Sequence, residues 1–506
     1  MKILEQSEHI NHEYCASIIE VGEIEPIPNS DFLASTKVNG QTIVVRRDLV
    51  KQGDLMFYAE NETQLNERFL SVNNLFEQSE FDKNANAVQV GKLLTQLQLA
   101  KTNQDLEEVS RLESLIKENT GFFTKHRRVK MIRLRGVASS GFLFSIETMA
   151  KFCPEIVNIN LKDYIGYDFD TVNGELFIKA YVPYIPPKKR IIREYTWSQK
   201  KIKRYDRMIP GQFFFHYDTQ PLKKNFNLIK PDTEVIITTK IHGTSAIFAN
   251  VLTKRPKQYS TPFGWLTNIV NKVCHSLPIK FQKIEYVYDT IYSSRHQIRN
   301  QYINENSTER YYKTDVWAEY NEILKGAIQE GMTVYGEIFG YETGLQKMFA
   351  TGNYDYGCEV GHNKFMPYRI TTTNEDGSKK EWEVDEVINW TKNLMNERPE
   401  IADRLFVLDV LFRGKLADFY PEVDTKNHWN ENVLELLGKE KRFFMEKNEP
   451  LCHNKVPREG FVLRIVGDEI KEAFKLKTDA FFLLESKRID KGEIDMEMME
   501  SAINDF

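Results

Sequence analysis

Apolar and polar positions alternate in short runs over the first third of the chain. ASIIEVGEIEPIP from Ala16, TIVVRR, LMFYAE, VKMIRLRG and GFLFS each read as strands, and Pro26, Pro28, Asn39-Gly40 and Gly53-Asp54 punctuate them. Short strands at this spacing predict a small barrel. Between them, residues 91–116 carry leucines at helical spacing, which predicts an inserted helical hairpin or one long helix. A PYIPP run at 183–187 marks a boundary. Beyond Pro210, EVIITTK, TVYGEIFG, RLFVLDVLF, GFVLRIV and AFKLK read as strands, while DVWAEYNEILKGAIQEG and EVINWTKNLMN read as helices. Strands and helices do not alternate as regular βαβ units, so an α+β domain on mostly antiparallel sheets is expected. The organisation expected is a small β-barrel domain over 1–150 with a helical insertion near 91–118. A linker and basic aromatic segment over 151–209 and an α+β domain over 210–506 follow.

Composition agrees with this division. The chain has 506 residues, 41% of them hydrophobic, enough for two or three globular domains. No apolar run approaches the roughly 20 residues that span a bilayer, and the polar N-terminus lacks a secretory h-region. No membrane association is expected. Cys15, Cys153, Cys274, Cys358 and Cys452 are scattered without zinc or redox spacing, which predicts reduced thiols and a cytoplasmic protein. His275 beside Cys274 supplies two potential ligands, too few for a metal site. Net charge is −5, yet two windows are strongly basic: TKHRRVKMIRLR from Thr124, and KKRIIREYTWSQKKIKRYDR from Lys188, with Tyr195, Trp197 and Tyr205 interleaved. Such windows are either solvated faces or phosphate-binding surfaces.

Five segments of the second region place reactive groups on or beside strands. They are KIHGT at Lys240, Ser294-Arg295, YGEIFG around Glu337, REGFVLR around Glu459, and FKLK with Lys475 and Lys477. Lys240 ends an apolar strand and precedes a glycine turn. A lysine at its reference pKa of about 10.4 is protonated and cannot attack; desolvation and nearby cations activate it. Lys475 and Lys477, two apart on one strand face, supply such cations and a clamp for a phosphoanhydride. Glu459 suits Mg²⁺, which takes one or two carboxylates and keeps waters. Glu337 suits ribose hydroxyls. Singly, each group has a dull explanation as a surface or core residue; the ordered set suits nucleotidyl transfer. His216 and Asp218, in FHYD, have a structural reading at least as good as a catalytic one.

KIHGTS resembles the lysine signature of the covalent nucleotidyltransferases, the superfamily of polynucleotide ligases and mRNA capping enzymes. YGEIFG, FVLDVLF, EGFVLR and KLK resemble its later motifs, in order. His242 at the third motif position is similar to RNA ligases. IIEVGEIEPIPNSDFLASTKVNGQTIVV, LVKQGDLMFYAE and RLRGVASSGFLF resemble the N-terminal OB-type domain of the Deinococcus and Naegleria RNA ligases, and FFFHYDTQPLKKN and YDYGCEVGHNKFMPYRI resemble that group as well. The resemblance leaves gaps at 91–118, 150–205 and about 251–290. It implies an OB-like domain followed by an adenylyltransferase domain, ATP as AMP donor, and Mg²⁺ or Mn²⁺. The implied partner is RNA with 3′-OH and 5′-phosphate ends, a nicked duplex included, joined by a monomer. Lys240 would carry AMP, with Ile241 and Gly243 beside the nucleotide. Arg295 would contact the ribose or 5′-phosphate side, and Glu337 the ribose. Phe406 and Val462 would sandwich adenine, Glu459 would hold the metal, and Lys475 and Lys477 the α-phosphate. Thr239 stands where many relatives have Glu. Only 29 residues follow Lys477, which leaves no room for the C-terminal OB domain of DNA ligases and capping enzymes. Another nucleotidyltransferase, or a non-catalytic nucleic-acid-binding protein, is the alternative.

Overall fold

The computed structural model describes residues 3–183, 205–217, 219–257, 259, 262–276, 283–303, 312–350, 352–467 and 472–493. Asp218, and Tyr195 and Trp197 with most of the second basic window, lie outside the described residues. Contacts divide the chain into one unit of Met1–Val182 with Asp479–Lys487 and another of Pro183–Thr478 with Arg488–Phe506.

In the first unit, β1 (Ala16–Glu20), β2 (Leu33–Val38), β3 (Gln41–Arg46) and β4 (Leu55–Ala59) follow the alternating runs. β2 and β3 form a hairpin with Val38 opposite Gln41. Asn39 and Gly40 between them take φ of 49° and 68°, the left-handed pair that a two-residue turn of this twist requires. Helices α1 (Ala87–Thr102) and α2 (Leu106–Glu118) resolve the leucine-rich insertion as a hairpin, closed on Val90, Leu97, Ala100, Leu112 and Ile116. β4 lies between β1 and β5 (Phe142–Phe144), and β6 (Asp168–Phe169) borders β1. Phe169 and Phe177 join Ile18, Phe57, Phe69 and Phe144 in this unit's core, so the stretch just past residue 150 belongs to the unit's packing.

The second unit holds two five-stranded sheets. Its strands are β7 (Gln220–Pro221), β8 (Glu234–Lys240), β9 (Thr244–Pro256), β10 (Ile284–Ser293), β11 (Met332–Gly340), β12 (Asn363–Thr373), β13 (Lys379–Glu381), β14 (Val410–Lys415), β15 (Gly460–Ile465) and β16 (Ala473–Lys477). One sheet has the order β7-β16-β15-β8-β14 and the other β10-β9-β11-β12-β13; only the β7–β16 pair is parallel. Helix α3 (Gly264–Ser276) connects β9 to β10. Helices α4 (Val316–Ile323) and α5 (Val384–Glu397) cover the second sheet through Val316, Trp317, Tyr320, Val387 and Leu394. Helix α6 (Trp429–Gly438) covers the first sheet through Val433 and Leu437 on Val235, Ile237, Phe461 and Leu463.

Two expectations are corrected. RLFVLDVLF is a strand only from Val410 onward. Before that, the Phe406 N–H donates to the Phe365 carbonyl and the Asp409 carbonyl accepts from the Thr239 N–H, so this stretch links the two sheets. The helix read into DVWAEYNEILKGAIQEG stops at Ile323, because the chain turns through Gly326 at φ 78°. Among the described residues no helix is long and apolar enough to cross a membrane.

Candidate active site

Strand alternation sorts the first sheet's residues by face. Val235 and Ile237 face the α6 side, which puts Ile236, Thr238 and Lys240 on the other. On the second sheet Ala246, Phe248, Val334 and Ile338 face the helices, which puts Tyr335 and Glu337 opposite. The two free faces meet: Arg464 Nη2 donates to the Tyr368 carbonyl at 3.3 Å, and the Gly243 N–H donates to Glu337 Oε1 at 3.0 Å.

Strand register assembles the reactive groups. Lys240 pairs with Gly460, which pairs with Lys477, so the three stand in one row across β8, β15 and β16. Thr238, Val462 and Lys475 form the next parallel row. Glu459, immediately before Gly460, is 1% exposed, and its Oε1 lies 2.8 Å from Lys240 Nζ and 3.8 Å from Lys477 Nζ. His242 Nδ1 stands 3.9 Å from Glu459 Oε2. Burial pushes the Glu459 carboxyl up, but Lys240, Lys477 and His242 outweigh it and hold the group below its usual range. The carboxylate is therefore ionised. Its Oε2 is buried and accepts no hydrogen bond, an acceptor that suits a cation or the water of one. No group of three or more His, Cys, Asp or Glu gathers among the described residues.

Two glycines make the close approach feasible. A Cβ on Gly243 would lie 2.3 Å from the Ile338 carbonyl oxygen. At Gly460, with φ 150°, it would lie 1.9 Å from the Leu476 carbonyl oxygen.

The other expected residues fall around this row. Glu337 is half-buried, and one of its oxygens already accepts from Gly243. Phe406 and Val462 are half-buried, and Phe406 meets Phe339 edge to face at 5.5 Å. The side chain of Ile241 is buried, which leaves its backbone for any ligand contact. Arg295 sits in the turn after β10, and its charge, with those of Arg369, Arg464 and Lys240, reaches His216. Burial first, then these cations, pushes His216 well below the usual imidazole range, so it is neutral. Its ring packs on Tyr217, Tyr335 and Tyr368.

Sequence reasoning gave no role to Tyr354, Tyr356 or Asp409. Tyr356, buried, accepts the His242 N–H at 2.8 Å through its hydroxyl, and Tyr354 meets the His242 ring at 5.1 Å. Thr239 Oγ1 donates to Asp409 Oδ2 at 3.1 Å and accepts from Arg458 Nη2 at 2.8 Å, a network that occupies the position where Glu is common. Buried Arg458 in turn lies 3.5 Å from Glu449. The tyrosines were visible in YDYGCEVGHNKFMPYRI, but nothing in that string says that a hydroxyl would hold the turn after Lys240.

Comparison with known proteins agrees with the motifs. Residues 233–477 match the family model for RNA ligase, and residues 15–101 match an OB-fold domain. No curated protein matches the chain. Among solved structures, a variant of Naegleria gruberi RNA ligase with ATP and Mn is similar at 15% identity, covering 94% of this chain and 100% of that one, with a TM-score of 0.49. A second variant of that enzyme, with AMP and Mn, is 16% identical over 94% and 100%, with a TM-score of 0.49. The same enzyme with PPi is 15% identical over 94% and 99%, with a TM-score of 0.45.

Proposed function

Residues 233–477 belong to the RNA ligase family, and from that premise we infer that the chain is an ATP-dependent RNA ligase that works through Lys240. In the first step Lys240 gives up its ammonium proton to solvent and Nζ attacks the α-phosphorus of ATP, shedding a second proton to solvent as the phosphoramide forms. A P–N bond forms, the bond to the β-phosphate oxygen breaks, and pyrophosphate leaves. AMP then passes to an RNA 5′-phosphate, which frees the lysine. Finally a 3′-OH attacks that phosphate, and AMP departs as the phosphodiester forms.

The observation that carries the reading is the row Lys240–Gly460–Lys477 with the buried Glu459 carboxylate at 2.8 Å from the nucleophile. The nitrogen is aimed by this contact, and it can attack only after the contact is released. An incoming triphosphate, itself anionic, competes for Lys240 and Lys477. Lys475, in the neighbouring row with Val462, extends the cationic surface for the phosphates. Phe406 and Val462 would hold the base, and Glu337 the ribose. Mg²⁺ or Mn²⁺ would be held by Glu459, and would supply charge neutralisation at the α-phosphate. The substrates on this reading are RNA 3′-OH and 5′-phosphate ends, in a nicked duplex among other contexts.

Incubation with ATP or GTP labelled at the α-phosphate, followed by a denaturing gel, tests the reading. ATP should give a covalent, acid-labile and alkali-stable label, and GTP should not. A chain that takes no label from ATP, or an equal one from GTP, refutes it.

A further inference from the structure

The segment between β9 and β10 stands apart from the adenylyl-transfer row. β9 runs thirteen residues from Thr244, beside the nucleophile loop, to Pro256, and stays paired with β10 to the Pro256–Ile284 pair. At about 3.3 Å per residue the ribbon reaches roughly 40 Å from the site. The Lys257 N–H to Lys283 carbonyl bond of 2.8 Å carries the pairing one step further. Helix α3 closes the segment. It is pinned by Asn271, whose Oδ1 accepts from the Tyr259 N–H at 2.8 Å and whose Nδ2 donates to the Tyr259 carbonyl at 3.0 Å.

This arm carries apolar surface that a hydrophobic core would claim. Phe263 is 62% exposed, Trp265 66%, Ile269 50% and Tyr286 64%. Trp265 and Ile269 are four apart on α3 and share a face. Lys254 pairs directly with Tyr286 across the ribbon, so cation and ring point the same way. Residues 252–288 hold six Lys or Arg and one acidic residue, Glu285, in a chain whose net charge is −5. Exposed flat rings among excess positive charge match a polyanion with stackable bases. A protein partner for an apolar face does not require that charge.

We propose that this arm is a second RNA-docking surface, which holds a single-stranded part of the substrate well away from the sealed junction by stacking on Phe263, Trp265 and Tyr286 and by phosphate contacts from Lys254, Lys257 and Lys283. It rests on the RNA ligase reading and adds to it a length requirement: RNA that extends some 40 Å from the reacting end gains affinity, and short RNA does not.

The test uses the full chain and a 5′-phosphorylated, fluorescein-labelled single-stranded RNA of about 30 nucleotides, with a short one of about 6 for comparison. Trp265→Ala and the Phe263→Ala/Trp265→Ala double variant should bind the long RNA about 10-fold or more weaker, as expected for losing stacked bases. Trp265→Tyr should retain most of the affinity. Lys257→Ala/Lys283→Ala should lower the slope of log K against log salt by about 1.4, near 0.7 per single-strand phosphate contact. Binding of the short RNA and labelling by ATP should be unchanged in every variant. Wild-type affinity of these variants for the long RNA overturns the proposal. So does a Trp265-dependent dimer seen by light scattering at unchanged RNA affinity, which would assign the face to a second copy. A wild-type chain that is not labelled by ATP refutes the ligase reading instead, and the two failures are told apart by that measurement.

Discussion

At the scale of single residues, the site is a balance of charge around one carboxylate. Lys240→Ala removes the amine placed 2.8 Å from Glu459, and covalent labelling by ATP should be abolished. Lys240→Arg should fail too, because a guanidinium stays protonated and is a poor nucleophile. Alkali-stable label on either variant would assign the chemistry elsewhere. Glu459→Gln keeps the shape but leaves Lys240, Lys477 and His242 without their anion, and Lys477→Ala removes one cation from the row. Each should slow labelling by about 10²-fold, the cost of one preorganised charge, with circular dichroism unchanged. His216 adds a pH dependence of stability. Its folded pKa lies well below 6.5, so below that pH the unfolded chain binds a proton that the folded chain refuses. Stability is therefore full above pH 6.5 and falls as pH drops through it, by at most about 1.4 kcal/mol per unit for one proton. His216→Gln should flatten the fall in the unfolding midpoint between pH 7 and 5; an equal fall in variant and wild type would show that other groups cause it.

Elements explain why some of the site could be read from the sequence and some could not. EVIITTK, GFVLRIV and AFKLK are strands where apolar runs and β-branched residues predicted them, and register alone then puts Lys240 and Lys477 in one row. Phe406 was misplaced in a strand because LFVLDVL is as apolar as a strand. Its backbone instead bridges two sheets through Phe365, a long-range pairing that local pattern cannot encode. β9, β10 and β12 do not stand out in the sequence, and each is paired with strands distant in the chain. Glycine spacing was legible as a motif, while its cause is packing. Gly460→Ala must accommodate φ 150° and a Cβ at 1.9 Å from the Leu476 carbonyl oxygen, so β15 and β16 have to separate. The variant should lose at least about 2 kcal/mol in urea unfolding, and labelling should fall with it because Glu459 and Lys477 flank the shift. A stable Gly460→Ala protein would show that the strands part without cost.

Over the whole molecule, charge is distributed against its sum. The window at Thr124 to Arg135 reads as one basic run, yet the structure divides it. Arg128 is 6% exposed, its guanidinium lies 2.6 Å from Glu62, and it donates to Ser486 Oγ at 3.0 Å within the first unit. Lys125, Arg133 and Arg135 are exposed. Cations of one basic window thus have two physical fates, one set by a buried pair and the other by solvent. This separation yields opposite expectations for substitutions of the same type. Lys125→Ala/Arg133→Ala/Arg135→Ala should leave the unfolding midpoint unchanged while lowering the salt slope of RNA binding by about 2, if each contacts a phosphate of a single strand. Arg128→Ala should leave that slope unchanged and cost about 3 kcal/mol, because it strands Glu62 and removes a partner of Ser486. Anisotropy titrations with labelled RNA at several salt concentrations, beside urea unfolding of the same variants, read both quantities. If the triple variant keeps the wild-type slope, the exposed cations are only a solvated face.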